Sequence, residues 1–144
     1  MYAIDCEATV RGSLADIWNT WTDMASYPSW DPREEELRLD GPFQPGTTGF
    51  SKQVGPRPGS SLEIIRVEPM ARWTNVSPLP GGKLVIDHTL TAGADGTVHL
   101  VKHYEAHGPM SVAFRLFFAK GIRAEAPGTF AALEAEAARR KAAT

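Results

Sequence analysis

His88, Lys102 and Tyr104 are the residues best equipped to do chemistry in this sequence. His88 alternates strictly with Leu84, Ile86 and Leu90, so as part of a strand it shares their buried face. Lys102 sits between Leu100 and Tyr104 on the apolar face of the next segment. A three-residue turn at Ala94-Asp95-Gly96 sets His88 opposite Lys102, whereas a two-residue Asp95-Gly96 loop would set it against His103. The first register gathers the apolar side chains on one face and is the one expected. Facing residues on such a pair stand about 4.5–5.5 Å apart at Cβ. An imidazole, an ammonium and a phenol then converge in an apolar interior, where they can orient a carbonyl or move a proton. Burial and mutual repulsion are expected to keep both bases neutral. The alternative is a satisfied core histidine and a lysine reaching out to solvent.

Around this trio, Trp30, Phe50 and Trp73 are candidate aromatic walls, and Phe114, Phe117 and Phe118 are candidates from a late helix. Arg66 alternates with Leu62 and Ile64 and is a candidate to point inward and meet a ligand carboxylate or phenol, although arginine more often stays exposed. Other chemistries fail on spacing. His99, His103 and His107 recur every four residues, but on a strand four residues span about 13 Å, too far for one metal ion. They belong on a solvated outer face with Glu105, with His103 near Asp87. Gly41 to Thr48 has the glycine spacing of a phosphate loop, but Thr47 replaces the lysine and no helix follows. There is no nucleophile elbow, and the single Cys6, next to acids, has nothing to activate it. Neither a metal nor a cofactor is expected.

Something must hold these residues in place. Residues 2–10 alternate as a half-buried strand. Ser13 then opens a helix carrying Leu14, Ile17, Trp18 and Trp21, and Pro28 and Pro32 limit any second one. Short strands follow at 37–39, 48–54, 62–67 and 72–76, divided by turns rich in Gly and Pro, then two longer ones at about 83–92 and 97–107. After Gly108-Pro109 the period turns helical, and Pro127-Gly128 is expected to kink or interrupt that helix near residue 124. The sum is one α+β domain over residues 1–144.

This order resembles the START-like, or SRPBCC, superfamily, most of all its polyketide cyclase/dehydrase and lipid-transport branch. The residues that carry the likeness are Tyr27-Pro28-Ser29-Trp30-Asp31-Pro32, Gly41-Pro42-Phe43 with Pro45-Gly46-Thr47-Thr48-Gly49, Val67-Glu68-Pro69, Trp73, Asp87-His88-Thr89-Leu90 and Gly108-Pro109. It implies a helix-grip fold, with a curved antiparallel sheet of about seven strands around a long C-terminal helix. One or two short helices follow the first strand, and a cavity lies between sheet and helix. It implies no single activity, since carriers, binders and cyclases share the fold.

Composition narrows the rest. With 144 residues, 42% hydrophobic and 22% charged, the chain can bury a core unaided. A net charge of -2 offers no reason to bind nucleic acid. No apolar run reaches the ~20 residues of a membrane span. The acidic start lacks the basic region of a signal peptide, so a cytoplasmic monomer or homodimer is expected. Three functions stay open: a binder of a small hydrophobic ligand (a polyketide, lipid or aromatic), a cyclase or dehydratase using His88, Lys102 and Tyr104, and a partner-binding helper without a ligand.

Overall fold

Seven antiparallel strands carry the molecule, and the computed structural model describes all of residues 1–144. They are β1 (Tyr2–Arg11), β2 (Glu34–Leu39), β3 (Thr48–Gln53), β4 (Ser60–Glu68), β5 (Arg72–Leu79), β6 (Gly82–Ala92) and β7 (Thr97–His107), ordered β1-β7-β6-β5-β4-β3-β2. Between β1 and β2 come α1 (Leu14–Trp21), a 3₁₀ turn (Met24–Ser26) and α2 (Tyr27–Trp30); after β7 come α3 (Ser111–Phe117) and α4 (Ala119–Ala142). This is the helix-grip arrangement.

Local chemistry explains the elements that matter. The Ser13 hydroxyl accepts from the Asp16 amide at 3.0 Å, an N-cap that starts α1. Helix α1 then buries Ile17, Trp18 and Trp21 against the sheet. The β6–β7 turn puts Asp95 (φ 56°) and Gly96 (φ 72°) in the left-handed region, which fixes the longer loop. His88 therefore pairs with Lys102, as the alternation requires. The same register extends across the sheet as one row, Cys6–Lys102–His88–Trp73–Val67.

Two bulges break the alternation elsewhere. On β4 the register shifts between Ile64 and Arg66, so Ile65 and Arg66 both face solvent while Ile64 and Val67 stay inside. Arg66 is thus on the outer face, 3.8 Å from Glu68, and not inward. On β2 the shift between Glu34 and Glu36 turns Glu35 and Glu36 outward and leaves Glu34 buried.

Of the kink or interruption expected at Pro127, the C-terminal helix shows no interruption there. It runs unbroken through Pro127, and the interruption falls instead at Phe118, between α3 and α4. Proline crowds the carbonyl four residues back, here Arg123. Both residues are exposed, so that carbonyl can tilt towards water. Beyond the proline, Phe130, Leu133 and Ala137 bury into the core. Glu136 accepts from Arg139 and Arg140, and Arg140 also reaches Asp23 (3.0 Å) and Ser26 (2.9 Å), which fastens α4 to the turn after α1.

Candidate functional site

The inner face of the sheet centres on His88. Its ring lies flat on Trp73, with centroids 3.5 Å apart, and meets the edge of Trp21 at 5.1 Å. Nδ1 stands 3.1 Å from the carbonyl oxygen of Trp73. A carbonyl only accepts, so Nδ1 carries the proton and Nε2 is left as an acceptor with no hydrogen bond. Burial, reinforced by the nearby Lys102, pushes the imidazole well below its ordinary pKa, so it is neutral as expected. Trp73 is 1% exposed, yet its indole N–H finds no acceptor in the protein. One donor and one acceptor are therefore unused in the same stack.

Lys102 differs from the expectation of a neutral amine. Burial opposes its charge, but the Tyr104 oxygen and, more remotely, the carboxyl groups of Glu34 and Asp31 outweigh it and raise its pKa. The ammonium stays charged, half-buried, with Nζ 5.4 Å from the centre of the Tyr104 ring.

Glu34 is the group that sequence reasoning missed. Burial pushes its carboxyl up to about 7, although a hydrogen bond from the Ser51 hydroxyl and the charge of Lys102 both oppose that. It can hold or release a proton at neutral pH. Within Glu34-Glu35-Glu36, strict alternation gives no sign that the first acid alone turns inward; only the bulge does that.

The remaining candidates scatter. Phe114 is buried against Tyr2 and Phe118, while Phe118 is half-buried beneath the Arg57 guanidinium at 4.8 Å. Phe117 does not line the interior: it is 76% exposed, because α3 turns Phe114 and Phe118, four residues apart, towards the sheet. Phe50 also faces away. It pairs with Arg38 and Ser61 on the outer face, lies under the Arg38 guanidinium and packs on Gly59, where a Cβ would come within 2.1 Å of its ring. Trp30 is half-buried at the end of α2, its indole N–H donating to Ser26 Oγ at 2.9 Å. Two depressions lie elsewhere. One of about 430 Å³ sits on the outer face among Arg66, Arg72, Asp87 and His103, and one of about 340 Å³ lies by Thr48, Val76 and Lys83.

Comparison with known proteins places this geometry. Residues 1–138 match the family described as polyketide cyclase / dehydrase and lipid transport. The chain belongs to that family. No curated protein matches it in sequence. Among solved structures it is similar to the Zhui aromatase/cyclase from Streptomyces sp. R1128, at 12% identity and a TM-score of 0.81, over 96% of this chain and 94% of that one. Norcoclaurine synthase from Thalictrum flavum is 19% identical with a TM-score of 0.69, covering 92% and 84%. Protein MLL2253 from Mesorhizobium loti is 20% identical with a TM-score of 0.72, covering 96% and 98%. At these identities the likeness is one of fold. No helix is long and apolar enough to cross a membrane.

Proposed function

We propose that this member of the family binds one small, largely apolar metabolite between the inner face of the sheet and the α3–α4 arm. The observation that carries the reading is the pair of unused groups in the Trp73–His88 stack, a buried donor without an acceptor and an imidazole nitrogen without a donor. Leaving the buried Trp73 indole N–H unpaired costs about 1–3 kcal/mol, which an occupant with one acceptor would relieve, while a hydroxyl on it would donate to His88 Nε2. Lys102 adds a fixed positive charge suited to a ligand carbonyl, phenolate or enolate. The family description supports a hydrophobic ligand. Titration calorimetry with 2-naphthol, which offers an apolar body and one hydroxyl, is expected to give one site per chain. Micromolar affinity corresponds to about 8 kcal/mol. No saturable heat with 2-naphthol or with larger phenols would contradict the proposal.

The Glu34–Lys102 pair supports a second reading, as a cyclase or dehydratase. An ionised Glu34 would take a proton from the carbon beside a ligand carbonyl, and Lys102 would hold the resulting enolate oxygen. The resemblance in fold to an aromatase/cyclase agrees with this. Here His88 and Tyr104 would position the carbonyl and not transfer the proton. Deuterium uptake from heavy water into a bound aryl ketone, lost in Glu34→Gln, would be the sign of it. Binding without uptake would leave a carrier.

A further inference from the structure

The outward side of α3 breaks the pattern of the rest of the surface. Val112 is 62% exposed, Leu116 61% and Phe117 76%, three large apolar side chains on a seven-residue helix. Single exposed apolar residues need no explanation, but a contiguous group marks a contact surface. The charges around it are equally one-sided. Residues 106–124 contain Arg115, Lys120 and Arg123 and no Asp or Glu, in a chain whose net charge is -2. The loop 54–59 holds Arg57 and no acid, and Arg57 lies against Phe118 at the end of α3. Arg33, Lys52, Arg72 and Arg140 each have a carboxylate partner elsewhere on the molecule. Arg57, Arg115 and Lys120 have none.

We infer that this face docks on an anionic lipid surface, with Leu116 and Phe117 entering the headgroup region and Arg115 and Lys120 meeting lipid phosphates. Apolar side chains ringed by unpaired cations have the composition of a helix that lies in a membrane interface. A second copy of the chain fits less well, because a two-fold contact would bring these cations against one another. The inference does not depend on the ligand site, since it concerns the opposite side of α3.

Sedimentation with phosphatidylcholine vesicles, with and without phosphatidylglycerol, tests it in the absence of any ligand. The protein is expected to pellet with the anionic vesicles at low salt, to release at high salt, and to ignore the neutral ones. Leu116→Ser with Phe117→Ser should weaken binding at least tenfold. Arg115→Gln and Lys120→Gln should each weaken it by roughly fivefold, the worth of one cation near such a surface. Lys83→Gln, an exposed cation on β6, should change little. All the altered side chains are exposed, so each variant is expected to fold, with circular dichroism as the check. Three results would each overturn the proposal: no binding to anionic vesicles at low salt, binding indifferent to the serine variant, or a solution dimer that the serine variant disperses.

Discussion

Strands β6 and β7 carry two pairs of residues one position apart, and the two pairs obey opposite rules. Asp87 and His103 face outward and are fully occupied. The Asp87 carboxylate accepts from Arg72 Nε at 2.9 Å and from the Thr74 hydroxyl at 2.6 Å, with Arg72 Nη2 2.7 Å away. Burial works against its charge, yet those partners hold its pKa below the ordinary value. His103 lies between Asp5 and Glu105, and Glu105 also receives His107. His88 and Lys102 face inward, as does Trp73, and there the partners run out. The Asp87 and His103 groups outside are completed by the fold itself. Inside, the Trp73 indole N–H has no partner in the chain, so substitutions on the two faces should separate stability from binding.

The largest effect is expected at Glu34. Its carboxyl titrates at about 7 in the folded protein, against an ordinary 4.5. Between those values the folded state holds a proton that the unfolded state has released. Stability therefore falls as pH rises through this window, and the loss is complete above it. The shift corresponds to about 3 kcal/mol as an upper figure. Urea unfolding at about pH 5 and about pH 8 should show this slope in the native protein and its absence in Glu34→Gln, which should be the more stable at the higher pH. A native protein with equal stability at both would contradict the placement of Glu34.

Lys102→Met comes next and should act on binding alone. Affinity for 2-naphthol or a related phenol should fall by about 1.5–3 kcal/mol, the range for a hydrogen bond to a charged group. Folding stability should change little, because the burial cost of the ammonium and its favourable partners, Tyr104 and the more distant carboxyl groups, are removed together. His88→Phe, which keeps the ring stacked on Trp73, should divide the same way. Asp87→Asn should do the reverse, costing about 1–2 kcal/mol of stability by weakening its bonds to Arg72 and Thr74, with affinity unchanged. A binding loss in Asp87→Asn, or a stability loss without a binding loss in Lys102→Met, would blur the line between the faces.

The sequence made one half of this comparison legible. Leu84, Ile86 and Leu90 alternate with His88 in an uninterrupted strand, and a turn with Asp95 and Gly96 admits few registers, so the His88–Lys102 pairing follows from pattern alone. Pattern fails where the backbone breaks its own period. Counting in twos from Leu62 makes Arg66 an inward candidate, and one extra residue at Ile65 leaves it outside, the alternative that arginine usually takes. The bulge that turned Glu35 and Glu36 out left Glu34 in, and no sequence period marks such a site. Phe50 and Phe117 misled for another reason: a large apolar side chain is assumed to be buried, and here one lies under a guanidinium while the other is open to solvent. The charge of Lys102 depends first on Tyr104 and then on Glu34 and Asp31, so weighing only burial and the neighbouring imidazole misjudged the base.

The smallest effect belongs to His103. The hydrogen bond to Asp5, with help from Glu105, raises its pKa. Its contribution is complete below the ordinary 6.5 and disappears as pH rises through the raised folded value. Because these groups are largely solvated, it should amount to less than about 1 kcal/mol. His103→Gln should flatten this part of the pH–stability curve and leave ligand affinity as it was.

The central claim, that the inner face receives a ligand while the outer face does not, is tested most directly by amine labelling. Lys102 points inward and Lys83 is exposed on the same sheet, so each serves as the other's control. The protein is acetylated with and without saturating 2-naphthol, and the modified lysines are quantified by mass spectrometry. The account predicts that the phenol protects Lys102 severalfold and leaves the labelling of Lys83 unchanged. Equal labelling of Lys102 in both samples, under conditions where calorimetry shows the phenol bound, would place the ligand elsewhere and contradict the account.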